Sequence, residues 1–342
     1  MKLKRILAVF VIICLTLSLV ACGGSGSGKT DSGNASDDKI SITMGIEGGD
    51  DLPDAIMGLK FKELIEEKSN GRITVSWYGN GQLGGDDELL QQVMNGSINA
   101  ALISTSTFSD YSEELDVLQL PFLFKDYETE KKALESSEAQ ALYKDLEELN
   151  LKILAVTEIG MRNFANNTKP IEKLSDLKGI KMRIVPSTLV ARAAELVGMT
   201  VTPMSYSEIY TGLQQNIIDG EEINLISINL ERHYEVLKYV SLINFYTFPS
   251  ALTFNLDFYN GLSDEDKALF DECKEEAFNY SIAQTEQKEE DSLQVISNAG
   301  LQLNEISEEA KAEFKTAVQP MYDEYAAKSE NMAAFIKMAQ GL

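Results

Sequence analysis

One histidine, three cysteines and 54 carboxylic acids bound the chemistry open to this 342-residue chain. A single imidazole, His233, argues against His–His and His–Cys zinc sites and against a Ser–His–Asp or Cys–His triad, so neither a metal nor a catalytic residue is expected. His233 lies in the polar stretch 229–235 and is expected to face solvent. Carboxylate pairs such as Glu221 and Glu222 are frequent in so acidic a chain, and nothing marks one of them as a glycosidase dyad. Gly79, Gly81 and Gly84 fit the dinucleotide pattern G-x-G-x-x-G, but no acid follows near Asn99 to hold a ribose. These glycines are expected instead to allow a tight strand-to-helix turn facing a cleft, with Asp86 and Asp87 complementing the helix N-terminus. No cofactor is expected.

The informative cations are Arg162 and Arg183. In 180–186, period-2 alternation sends Ile180, Met182 and Ile184 to one face and Arg183, with Lys181, to the other. Pro186 and Ser187 end the strand, which places a guanidinium near a strand C-terminus, where open α/β sheets bind ligands. A surface arginine fits the same pattern.

The elements that must position these residues run in α/β order. Strands are predicted at 40–46, 72–78 and 100–103, with helices at 53–69 and 86–95 between them. A second run has strands at 151–157, 180–185 and 217–221 and helices at 188–197 and 206–216. From Ser263, an N-cap followed by Asp264, Glu265 and Asp266, a helical pattern continues to about 298. At 1.5 Å per residue such a helix reaches about 50 Å, enough to lie across two lobes.

The N-terminus reads as an export signal: Lys2, Lys4 and Arg5, an uncharged run over 6–21, then Leu19-Val20-Ala21-Cys22. This is a lipobox, with Cys22 expected to carry the lipid that ties the protein to the outer face of the cell membrane. The Gly/Ser-rich stretch 23–38 has no apolar periodicity and reads as a tether. Without the signal, 27 basic residues face 54 acidic ones, a net charge of about −27, which opposes nucleic-acid binding. Cys14 leaves with the signal, so Cys273 remains; set with Leu269, Phe270, Ala277 and Phe278 at helical spacing, it is expected to be buried.

Several separate motifs carry a resemblance. They are Asn80-Gly81-Gln82-Leu83-Gly84-Gly85, Leu118-Gln119-Leu120-Pro121-Phe122-Leu123-Phe124-Lys125-Asp126-Tyr127, Ile180-Lys181-Met182-Arg183-Ile184-Val185-Pro186-Ser187, Thr202-Pro203-Met204-Ser205-Tyr206 through Gln215, and Ile218-Asp219-Gly220-Glu221-Glu222. Over about 40–260 the chain resembles the solute-binding proteins of tripartite ATP-independent periplasmic (TRAP) transporters, the DctP family. The resemblance implies a two-lobed α/β fold like that of periplasmic binding proteins, with a central ligand cleft and a long helix spanning both lobes. Lobe I would hold 39–160 and about 249–285, lobe II 161–248 and about 286–342.

It further implies a monomer that binds a small organic acid without reacting it and delivers it to membrane permease subunits. A ligand-sensing lipoprotein signalling to a membrane receptor is the alternative use of the same cleft. By this resemblance Arg183 forms a bidentate salt bridge with the ligand carboxylate, Arg162 is a second pocket arginine, and Tyr206 stands where a phenylalanine packs on the ligand. Glu47 falls where relatives contact the ligand's far end, and Ser104, Thr105 and Thr107 lie at the cleft, as does Asp86. One departure is Ile223, where relatives carry a carboxylate-binding asparagine; either Asn224 takes that role by a one-residue shift or Ile223 marks a more apolar ligand. Phe245, with Phe248, replaces a polar residue of sugar-acid binders and is expected to form an aromatic wall.

Overall fold

The computed structural model describes residues 39–342; the expected signal, Cys22 and the linker lie outside the described residues. In chain order the first part is β1 (Ile40–Ile46), α1 (Pro53–Lys68), β2 (Ile73–Tyr78), α2 (Asp86–Met94), β3 (Ala100–Ser104), α3 (Tyr127–Leu134), α4 (Ser137–Asp145) and β4 (Leu151–Glu158). Next come β5 (Asn163–Asn166), β6 (Lys181–Ile184), α5 (Thr188–Leu196), β7 (Thr200–Pro203), α6 (Ile209–Gln214), β8 (Gly220–Ile223), α7 (Leu225–Leu230) and β9 (Tyr239–Leu242). The chain closes with β10 (Pro249–Asn255), α8 (Leu256–Asn260), α9 (Asp264–Asn298), β11 (Gln302–Glu305), α10 (Glu308–Val318), α11 (Pro320–Ala326) and α12 (Glu330–Ala339).

Two sheets result, one per lobe. The first has the order β2-β1-β3-β10-β4, the second β11-β9-β5-β8-β6-β7. Parallel pairs β1–β2 and β1–β3 come from strand–helix–strand units, and β10 is inserted antiparallel between β3 and β4. In the second sheet β6 runs parallel to β7 and β8.

The chain passes from the first sheet to the second between β4 and β5, and returns between β9 and β10. These crossings bind each other: Ile159 N donates to Phe248 O (3.1 Å), Arg162 N to Tyr246 O (2.8 Å) and Phe245 N to Arg162 O (2.8 Å). These bonds hold 159–162 of the first crossing against 245–248 of the second.

Helix α9 is the third connection. Ser263 caps it by accepting from Asp266 N at 3.1 Å, and three acids in its first turn complement the macrodipole. It packs on α1 and β4 of the first lobe and on α7 of the second, so it spans both. Its apolar stripe includes Phe270, edge-on to Phe61 of α1 at 5.4 Å between centroids, and fully buried Cys273. Burial lifts the Cys273 thiol to about 11, which keeps it an inert, protonated filler.

Two boundaries differ from the sequence expectation. Helix α12 packs on α3 and α4, which lie against β4, so the end of the chain returns to the first lobe instead of staying in the second. The strand expected at 217–221 is β8, Gly220–Ile223, because Asn216 at φ +57° turns the chain and leaves Ile217 half exposed before pairing begins.

Candidate ligand-binding site

A cavity of about 810 Å³, counting the space at its mouth, lies between the two lobes. It brings together Glu47, Asp86, Ser104 and Thr107 from the first lobe with Arg162, Arg183, Tyr206 and Asn224 from the second. Also in its wall are Asp54, Ser227, Val185 and Phe248.

Each lobe places its residues through short local devices. Glu47 follows β1, in a segment pinned on both sides by the glycine turn: Gly81 N donates to Ile46 O (3.2 Å) and Asn80 N to Gly48 O (2.8 Å). Gly84 sits at φ +114°, where an added Cβ would meet Glu88 Cβ at 2.8 Å, so this turn requires glycine. Asp86 then opens α2, and its Oδ2 accepts from Ser104 N (2.9 Å) and Thr107 Oγ1 (3.5 Å).

In the second lobe, alternation along β6 buries Met182 and Ile184 in the core and turns Arg183 to the cavity. Asn224 caps α7: its Oδ1 accepts from Ser227 N at 2.7 Å, and its Nδ2 is buried without a hydrogen-bond partner among the described residues. Gly160 lies beside it at φ +140°, with only 2.9 Å between an added Cβ and Asn224 Cβ.

The two arginines have opposite surroundings. Arg162 is 2% exposed, with Nε 2.7 Å from Glu222 Oε2 and Nη2 2.9 Å from Glu222 Oε1, a bidentate pair; Nη2 also donates to Glu222 O. Glu222 accepts further bonds from Tyr246 OH (2.7 Å) and Val185 N (3.3 Å). The Phe248 ring lies 4.2 Å from the Arg162 guanidinium carbon, covering one face of it. Burial opposes a charged Arg162, and Glu222 more than offsets it, so the guanidinium keeps its proton.

Arg183 is equally buried, yet it has no ion pair among the described residues. Its Nε donates to Met204 O at 2.8 Å, which fixes the plane of the guanidinium and leaves the two terminal nitrogens for another acceptor. Burial and the neighbouring charge of Arg162 lower its proton affinity, the mark of a cation without a full counter-charge.

The opposite wall is acidic. Burial raises Glu47 above the usual carboxylate range, against the Asp86 N–H and the Arg183 charge. Burial and the Glu47 charge push Asp86 well above it, and burial brings Asp54 to about 6. Ser104 Oγ, on the same side, is buried without a partner among the described residues.

Three expectations, for Phe245, His233 and Thr105, are corrected. Phe245 does not line the cavity; it is 2% exposed in an aromatic cluster, with Phe122 at 5.3 Å and Phe164 at 5.5 Å, because adjacent residues of the extended crossing face opposite ways and Phe248 takes the cavity side. His233 does not face solvent; Arg232 at φ +57° turns the chain so that the ring is buried with Nδ1 2.9 Å from Glu221 Oε1. Ile223 belongs to the second lobe's apolar core with Ile209 and Leu213, and the next residue, Asn224, faces the cavity. Thr105 serves the frame, donating to Pro249 O at 3.2 Å.

Sequence reasoning missed Asp54, Val185 and Ser227 in the wall and Glu222, which holds Arg162. Glu222 was visible only as half of an acid pair, and Asp54 only as one of many acids in a first helical turn beside Pro53.

This geometry has close relatives. A family model described as bacterial extracellular solute-binding protein, family 7 (DctP), matches residues 49–329. The chain belongs to this family. The DctP-family chain is similar to the C4-dicarboxylate-binding protein DctB of Bacillus subtilis, 28% identical over 277 residues, 81% of this chain and 79% of the relative. The 2,3-diketo-L-gulonate-binding periplasmic protein YiaO of Escherichia coli is 29% identical over 251 residues, 72% of this chain and 76% of the relative. Among solved structures, the sugar acid binding protein DctPAm of Advenella mimigardefordensis, in complex with galactonate, superposes with a TM-score of 0.84 at 26% identity, covering 89% of this chain and 99% of its own. A TRAP periplasmic solute-binding protein of Haemophilus influenzae with bound L-gulonate gives 0.84 at 27% identity over the same shares. As a TRAP-type, DctP-family solute-binding protein, this chain is a transport component outside the cytoplasm.

Removing one partner of a buried, hydrogen-bonded ion pair leaves the other charge uncompensated. Glu222→Gln is therefore expected to lower the unfolding free energy by roughly 3–5 kcal/mol in a urea titration. A double replacement, Arg162→Met with Glu222→Leu, is expected to recover most of that loss; equal stability of Glu222→Gln and the parent would contradict the assigned pairing.

Proposed function

We propose that this protein captures a small organic acid by its carboxylate, with Arg183 as the principal anchor, and delivers it to a membrane permease. The observation that carries this reading is the buried Arg183 guanidinium, without an ion pair among the described residues, in the cavity wall beside an arginine already neutralised by Glu222. A planar fork of donors matches the two oxygens of a carboxylate, and Asn224 Nδ2 and Tyr206 stand in the same wall. Hydrogen bonds to charged groups are worth roughly 1.5–3 kcal/mol, a sizeable share of the roughly 8 kcal/mol of a micromolar complex. The ligands of these relatives, a C4-dicarboxylate, 2,3-diketo-L-gulonate, galactonate and L-gulonate, share only the carboxylate among their charged groups. The remaining cavity residues Glu47, Asp86, Ser104 and Thr107 serve the rest of the ligand in this reading. A permease that distinguishes loaded from empty protein does so by shape, which the two-lobed fold supplies when it closes.

Anchoring is the second part of the proposal. The lipobox at 19–22 assigns the lipid to Cys22, and the Gly/Ser stretch behind it is a tether that keeps the binding protein concentrated beside its permease.

Arg183→Ala is expected to abolish organic-acid binding in calorimetry while the melting temperature of the ligand-free protein stays within a few degrees of the parent. Undiminished affinity would remove Arg183 from the site. Cys22→Ala is expected to release the protein from the membrane fraction with its binding intact; a variant still in the membrane pellet would refute the anchor.

A further inference from the structure

We infer that the ligand is a monocarboxylate that presents hydrogen-bond donors, hydroxyl or ammonium, at the end opposite its carboxylate, and that Glu47 and Asp86 select against a second carboxylate. This rests on the carboxylate-capture reading above and sharpens it to a ligand class.

The charge balance of the cavity is one-sided. Of its two arginines, Arg162 is cancelled by Glu222, which leaves Arg183 as its uncancelled cation among the described residues. Against that stand Glu47, Asp54 and Asp86, none of which has an ion pair among the described residues. A ligand carboxylate satisfies Arg183. Nothing is left to neutralise a second one, which would face like charges in a space where water screens poorly.

The acid wall instead offers acceptors. The contacts made by the Asp86 carboxylate from within the protein go to Oδ2, through Ser104 N and Thr107 Oγ1. Glu47 accepts a long bond from Asp86 N, at 3.4 Å to Oε2, and the Ser207 backbone N–H also stabilises its charge. The lone pairs that remain point to ligand donors. Ser104 is an independent sign of a polar ligand at this end: it is 6% exposed, it lines the cavity, and its Oγ has no partner among the described residues. Buried hydroxyls are almost always bonded, so this one awaits a ligand or a water held in its place. The raised carboxyls of Glu47 and Asp86 described above fit acids that lack a counter-cation.

Matched acids test this by calorimetry at pH 8. The pairs are galactonate and galactarate, gluconate and glucarate, and 4-hydroxybutyrate and succinate, with 4-aminobutyrate as the ammonium arm. Within each pair that binds, the hydroxy acid is expected to bind roughly tenfold or more tighter than its diacid, and Glu47→Gln is expected to shrink that ratio severalfold. Tighter binding of 4-aminobutyrate than of 4-hydroxybutyrate supports the inference and identifies ammonium as the donor. A diacid that binds as tightly as its hydroxy acid, with binding lost in Arg183→Ala, overturns this inference and leaves carboxylate capture standing. Hydroxy-acid preference unchanged in Glu47→Gln and in Asp86→Asn also overturns it, because the selectivity then lies elsewhere. If no acid of the panel binds the parent protein, carboxylate capture fails and the inference with it.

Discussion

Arg162, in the wall of the cavity, is held by Glu222 as a bidentate pair, and Glu222 is bonded further to Tyr246 and to Val185 N. The consequence falls on their neighbour. With Glu222 committed, Arg183 keeps a charge that the protein itself does not neutralise, and its Nε bond to Met204 O holds the fork in place before a ligand arrives. A buried cation of this kind is costly to the empty protein, since it gives up water without gaining a full counter-charge. In the proposed binding mode an anion recovers that cost, so affinity is drawn from a penalty already built into the unliganded state.

The frame explains how this arrangement is held. Arg162 lies on the first crossing, Tyr246 and Phe248 on the second, and the crossings are hydrogen-bonded to each other. Glu222 and Asn224 come from the strand β8 and its junction with α7, and Gly160 lets the first crossing pass close enough to Asn224 for both to border the cavity. The proposed carboxylate anchor therefore belongs to the second lobe and the connection between lobes, while Glu47, Asp86 and Ser104 come from the first. A ligand that engages both ends ties the two lobes together.

Much of this was legible in the sequence, for definite reasons. The alternation of Ile180, Met182 and Ile184 placed Arg183 opposite the core, and the N-cap at Ser263 with its three acids marked α9 to within a residue. Strand β10 was not legible as a strand, because all seven of its residues are buried between two neighbours and no alternation survives. Strand β5, Asn-Phe-Ala-Asn, is short and wholly buried for the same reason. His233 was misread because its burial depends on a left-handed turn at Arg232 and on Glu221, a contact made by tertiary structure. Phe245 and Phe248 could not be told apart from composition; the path of the second crossing decides which ring faces the cavity. The pairing of Arg162 with Glu222 joins positions 60 residues apart, and no local pattern announces it.

The most direct measurement of the central claim is a crystal structure of the protein with the organic acid that raises its melting temperature most. The expected result is the ligand carboxylate on the terminal nitrogens of Arg183, with Arg162 still bidentate on Glu222. A carboxylate that displaces Glu222 from Arg162, or that sits at the Glu47–Asp86 wall away from Arg183, would contradict it.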